Sequence, residues 1–98
     1  MIDDGAATLT QLRARIDALD VEFVDWLGKR FAITRRIGQF KADYALPVKD
    51  EQREGVHIER LRQAADAAGV SSELVAELFR HIMAEVVREH EVLQGQSS

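Results

Sequence analysis

Along the first forty residues, Leu9, Leu12, Ile16, Leu19, Phe23, Trp26, Ile33, Ile37 and Phe40 recur at steps of three and four, with Arg30 filling the remaining slot. That spacing keeps one face of a helix turned toward a partner helix. Thr8 stands three residues before Gln11, a capping-box spacing at the head of the series, and no proline interrupts it before Pro47. The pattern therefore predicts a helix of about 33 residues and roughly 50 Å. Neither later segment is long enough to cover it, so the stripe calls for a second copy of the chain. A guanidinium in the middle of an apolar seam costs several kcal/mol unless something anionic meets it.

Residues 42–49 break the periodicity, and Pro47 disfavours helix at Leu46. Asp50 then suits an N-cap, Glu51 and Glu54 suit a first helical turn, and Gly69 suits the left-handed stop of a second helix. Its inward stripe reads Glu54, Ile58, Leu61, Ala65, Ala68. Ser71 caps a third helix running to about Gln94, with the stripe Val75, Phe79, Ile82, Val86, His90, Leu93 widened by Leu78 and Met83. Residues 1–7 and 95–98 read as frayed tails of a single domain over 1–98. No strand alternation or internal repeat is present. The expected architecture is all-α, three helices (long, short and medium) in an intertwined homodimer.

Composition narrows the chemistry. The chain is 46% hydrophobic and 31% charged, with one Pro and six Gly, as an ordinary globular domain is. It contains no cysteine, which removes disulfides, thiolate nucleophiles and Cys-based zinc sites. A formal net charge of −4 counts against a phosphate-backbone binder. No segment approaches the roughly 18 apolar residues of a membrane span, and no leader pattern opens the sequence, so a cytoplasmic location away from membranes is expected. A chain this small sits near the lower limit for a solitary core, which again favours oligomerisation.

Each helix carries one ionisable residue on its inward stripe: Arg30, Glu54 and His90. Lys41 follows Arg30 by eleven residues, about 20° of helical rotation and roughly 16 Å, so both project from one face and would bracket a small ligand. Arg13 lies seventeen residues before Arg30, roughly 100° off that face and about 25 Å away. It cannot reach the same ligand from the same chain, whereas an antiparallel pairing of two first helices would bring it toward the partner's Arg30. Blander readings exist for each residue taken alone. Arg30 would set register in a helical seam or pair with Glu54 in the core; His90 would be a half-exposed imidazole near a helix C-terminus; Lys41 would snorkel.

The series Arg13 in LRARIDALD, Arg30 in GKRFAITRRIGQFK, Lys41 closing that run, and Asp50, Arg53 and Glu54 in PVKDEQRE resembles the all-α (AroQ-class) chorismate mutases over nearly the whole chain. The resemblance implies a homodimer with two shared sites, each completed by Arg13 of the partner subunit, and a place in aromatic amino-acid biosynthesis. It implies the unimolecular [3,3] rearrangement of chorismate to prephenate, with no metal and no cofactor. Arg13 and Arg30 would hold the two substrate carboxylates, Lys41 and His90 would donate to the ether oxygen as charge grows on it, and Asp50, Arg53 and Glu54 would line the end receiving the ring hydroxyl.

Two positions depart from the family pattern. His90 stands where many relatives have Gln or Glu, and Val86 where some have a small polar residue, which removes a possible contact to a substrate carboxylate. An imidazole donates from one nitrogen when neutral and from both when protonated, so turnover is expected to rise as His90 gains its proton. The rival readings are an isochorismate pyruvate lyase and an aminodeoxychorismate mutase on the same scaffold and, from another class, a non-catalytic helical dimerisation module. The lyases tend to lack the charged pair matching Arg53 and Glu54, which favours the mutase. Feedback control would enter through a partner protein such as the preceding shikimate-pathway enzyme.

Overall fold

A computed structural model describes residues 4–96 of the chain. They form three helices in order, α1 (Asp4–Asp43), α2 (Glu51–Ala68) and α3 (Ser72–Gln96), with no strand among the described residues. The all-α expectation of one long, one short and one medium helix holds.

The 40-residue α1, about 60 Å long, exceeds its expected bounds at both ends. Thr8 lies inside it rather than capping it, so residues 4–7 are helical and not frayed. Ala6 and Ala7 supply the reason, since alanine has the highest helix propensity, and the Thr10 hydroxyl donates back to the Ala6 carbonyl at 3.0 Å. At the other end of the chain α3 also runs past its expected stop, so Gly95 and Gln96 are helical rather than frayed, and the rest of the expected tails, residues 1–3 and 97–98, lies outside the described residues. At the C-terminal end of α1 Lys41 favours the last turn, and the orphan carbonyls of Phe40 and Lys41 are taken by the amides of Tyr44 (3.1 Å) and Leu46 (2.8 Å).

The chain divides after Ile33 into two compact units. The first is a stretch of α1 whose apolar stripe is open to solvent: Leu9, Leu12, Ile16, Leu19, Phe23, Trp26 and Ile33 are each 42–62% exposed. The Phe23 and Trp26 rings lie 5.9 Å apart along it. An ion pair along it, Lys29 to Asp25 at 3.1 Å, is solvated on both sides and adds little.

The second unit, from Thr34 onward, holds the last turns of α1, the connecting loop, α2 and α3. Asp50 caps α2 by accepting the Arg53 amide at 3.1 Å, and Ser71 Oγ accepts the Leu74 amide at 3.2 Å at the head of α3. Gly69 ends α2 at φ 73°, where a side chain would be strained, while the Val70 amide reaches back to the Ala65 carbonyl at 2.9 Å. Ala65, Ala76 and Ile82 are buried where α2 meets α3, and the His57 ring stands edge-on to Phe79 with centroids 6.3 Å apart. Arg62 of α2 is paired with Glu73 of α3. That hydrogen bond and its charge hold the Glu73 carboxyl below its ordinary pKa and raise the guanidinium's.

The end of α1 meets α3 through small and polar groups rather than through the apolar stripe. Gly38 is buried, whereas Ile37 and Phe40 stay open and Phe40 stacks on Tyr44 at 4.6 Å. Arg35 forks onto Glu89 with Nε to Oε1 at 3.1 Å and Nη2 to Oε2 at 3.4 Å. Gln94 Nε2 donates to the Leu46 carbonyl at 2.6 Å, tying the end of α3 to the loop.

Candidate active site

Lys41 is half-buried in the last turn of α1, and its Nζ donates to the Val48 carbonyl at 3.0 Å. An ammonium has three donors, so the loop fixes the head group and leaves two for a ligand. Two residues past Val48, the Asp50 carboxylate caps α2. Asp50 therefore has a structural task whatever it does for a ligand, and Arg53 beside it is exposed.

Glu54, half-buried in the first turn of α2, lines an open cleft of about 360 Å³ with Lys49 from the loop and Arg80, Met83, Ala84, Val87 and Arg88 from α3. Three cations face one carboxylate over an apolar floor. Arg80, Ala84 and Arg88 follow at four-residue steps along one side of α3, and the small Ala84 leaves room between the two forks. Arg88 is held by Glu85 one turn back, whereas Lys49, Glu54 and Arg80 have side chains that make no hydrogen bond or ion pair among the described residues. Such a cleft attracts a small anion, and its one carboxylate can accept a hydroxyl or ammonium proton.

His90 is only 3% exposed, which overturns the picture of a half-exposed imidazole at a helix end. Its Nε2 lies 2.7 Å from the Thr34 carbonyl oxygen, and because a carbonyl only accepts, Nε2 carries the hydrogen and donates. The ring occupies the space a side chain at position 38 would need: a Cβ on Gly38 would fall 2.4 Å from Cδ2 and 2.8 Å from Nε2. Val86, one turn earlier on α3, is half-buried.

Of the sequence-derived candidates, Lys41, Asp50, Arg53, Glu54, Val86 and His90 lie in the second unit. Arg13, exposed, and Arg30, half-buried, lie in the first. Sequence reasoning passed over Lys49, Arg80, Arg88, Thr34 and Gly38. The four-residue steps on α3 carried a signal for the two arginines, and a glycine inside an unbroken helical pattern signalled a close approach at Gly38. No group of three or more His, Asp or Glu side chains suited to a metal occurs among the described residues, and no described helix is long and apolar enough to cross a membrane.

Residues 12–91 match the chorismate mutase type II family. The chain is 35% identical over 79 residues to a T-protein of Enterobacter agglomerans, covering 81% of this chain and 21% of that protein. A T-protein of Haemophilus influenzae is 32% identical over 77 residues, 79% of this chain and 20% of the relative. A 4-amino-4-deoxychorismate mutase of Streptomyces pristinaespiralis is 36% identical over 87 residues, 86% of this chain and 67% of the relative. The chain thus spans about a fifth of the length of the T-proteins it matches.

Proposed function

The chain belongs to the chorismate mutase type II family, and we propose that it is an isomerase converting chorismate to prephenate in a homodimer with shared sites. The observation that carries this reading is the cleft in which Glu54 faces Lys49, Arg80 and Arg88 within the matched residues. A protein of net charge −4 that turns cations toward one hollow is built for a small anion, and chorismate is a dianion.

The reaction needs no nucleophile. Arg30 and Arg13 of the partner subunit hold the two carboxylates as forks, which fix orientation better than ammonium groups. Clamping both ends folds the enolpyruvyl arm over the ring and removes conformational freedom before the barrier. As the ether C–O bond stretches, negative charge grows on its oxygen. Lys41, already anchored on Val48, points donors there without reorganising, so it stabilises the transition state more than the ground state. Glu54 accepts from the ring hydroxyl, and the capped start of α2 keeps Asp50 and Arg53 beside it.

Dimerisation is supported by the open stripe of α1. Seven large apolar residues at helical spacing in the first unit are exposed, and in the second unit Ile37 and Phe40 are exposed as well; an exposed apolar stripe of this kind marks an interaction surface. Two antiparallel copies of α1 cover both stripes and carry Arg13 to the other chain's site.

A second reading is favoured by one comparison. The Streptomyces relative is a 4-amino-4-deoxychorismate mutase, and the Glu54 carboxylate suits an ammonium as well as a hydroxyl. Incubating the purified protein with chorismate, isochorismate and 4-amino-4-deoxychorismate and identifying the products separates the cases. Prephenate formed from chorismate with the highest kcat/KM supports the proposal. Faster turnover of the amino analogue establishes the second reading, pyruvate release from isochorismate a lyase, and no turnover of any of the three leaves a dimerisation module.

A further inference from the structure

We propose that Gln94, in the last turn of α3, is a positioning residue for Lys41: by pinning the Leu46 carbonyl it fixes the Val48 carbonyl that aims the Lys41 ammonium. The inference rests on the proposed function, in which Lys41 donates to the breaking ether bond. It deepens that reading by naming the group that holds this donor still.

The last carbonyls of α1 have no partner within the helix, and the loop answers two of them. The Tyr44 amide donates to Phe40 at 3.1 Å and the Leu46 amide to Lys41 at 2.8 Å. To make this turn the chain carries Ala45 at φ 52°, in the left-handed region that alanine enters only under strain. A residue so placed stays there only while the surrounding structure holds its neighbours. Leu46 is held on both sides. Its amide is bound to the end of α1, and its carbonyl accepts Gln94 Nε2 at 2.6 Å. The second bond comes from a residue 48 positions further along the chain, half-buried on a different helix, so it anchors the loop from outside.

From the Leu46 carbonyl the constraint passes along the backbone to Lys41. The Leu46–Pro47 peptide is planar, and the Pro47 ring locks φ near about −65°. Three soft rotations, Pro47 ψ and Val48 φ and ψ, then separate the pinned carbonyl from the Val48 carbonyl, which accepts Lys41 Nζ at 3.0 Å. Beyond Val48 the Asp50 carboxylate caps α2 through the Arg53 amide at 3.1 Å. The Val48 carbonyl is thus set between two anchors, one at the head of α2 and one at the tail of α3. Without the second, Ala45 is free to leave its strained conformation and the loop shifts. Lys41 then follows the carbonyl or loses it, and a lysine stem without a fixed partner regains its rotamer freedom. A displacement of about 1 Å is enough to cost up to about 100-fold in rate. A neutral amide suits the task, since it binds a carbonyl without adding another cation to the loop.

Gln94→Leu removes the donor and keeps a good helix former of similar size. Chorismate turnover by the whole protein is measured for wild type, Gln94→Leu, Lys41→Ala and the double variant, and hydrogen exchange of the Leu46 amide is followed in the free protein. Gln94→Leu should lower kcat about tenfold and leave KM within about twofold, because Lys41 acts on charge formed only in the transition state. In the Lys41→Ala background the same change should alter kcat by less than about twofold, since the group being positioned is gone. The Leu46 amide should exchange at least about tenfold faster in Gln94→Leu. An unchanged kcat, an equal loss in both Lys41 backgrounds, or unchanged exchange at Leu46 overturns the inference while leaving the mutase reading intact. No turnover of chorismate by the wild type removes the mutase reading and this inference with it.

Discussion

Replacing Gly38 with alanine should destabilise the protein, although the change is normally favourable in a helix. Glycine in a helix interior costs about 1 kcal/mol relative to alanine, so in open space Gly38→Ala would stabilise by that amount. Here the new methyl meets the His90 ring at 2.4 and 2.8 Å, roughly 1 Å inside ordinary contact. Relieving the overlap costs about 1–3 kcal/mol, and if the ring swings out, its Nε2–H loses Thr34, a further penalty of about 1–3 kcal/mol for a buried unsatisfied donor. The net expectation is a loss of about 2 kcal/mol. The assay is urea unfolding followed by circular dichroism at one fixed protein concentration, because assembly makes stability concentration-dependent. It is run on wild type, Gly38→Ala, His90→Ala and the double variant. With the ring gone the methyl meets only the flexible tip of Leu93, whose Cδ1 would lie 3.0 Å from it and can turn into the vacated space, so Gly38→Ala should be neutral or mildly stabilising in the His90→Ala background. Equal destabilisation in both backgrounds would refute the claim that the imidazole fills the notch.

Two further outcomes follow from the same geometry. Lys41→Ala loses one hydrogen bond to Val48, so stability should change by no more than about 1 kcal/mol, yet turnover of chorismate should fall at least about 100-fold, as when an oxyanion donor is removed; parallel denaturation and kinetic measurements check both. Asp50→Ala should cost about 1 kcal/mol through loss of the α2 cap, whereas Asp50→Asn keeps the cap and should match wild type in melting while altering KM, which separates the structural from the ligand-facing role.

The helices of the second unit were legible because their ends carry local chemistry. Asp50, Gly69 and Ser71 act within four residues of themselves, and sequence spacing is enough to find such groups. The start of α1 was misplaced because Thr8 had the form of a cap, while propensity at Ala6 and Ala7 carried the helix through it. Periodicity found the stripe of α1 but not which of its faces meets α3: Gly38 and Thr34 do so, and neither is an apolar position. Glu54 stood out as a carboxylate on an apolar face, and the structure places it in the cleft. The burial of His90 depends on a carbonyl 56 residues away, a contact that no local pattern encodes.

The central claim, that each site takes Arg13 from one chain and Lys41 from the other, is tested most directly by mixing two inactive variants. Arg13→Ala and Lys41→Ala are each purified, unfolded together in equal amounts and refolded, and chorismate turnover is measured. Random pairing makes about half the dimers mixed, each with one intact site and one doubly disabled site, so activity should return to about a quarter of wild type. A mixture no more active than its components, or an Arg13→Ala protein that turns over chorismate like wild type, would contradict a site shared between two subunits.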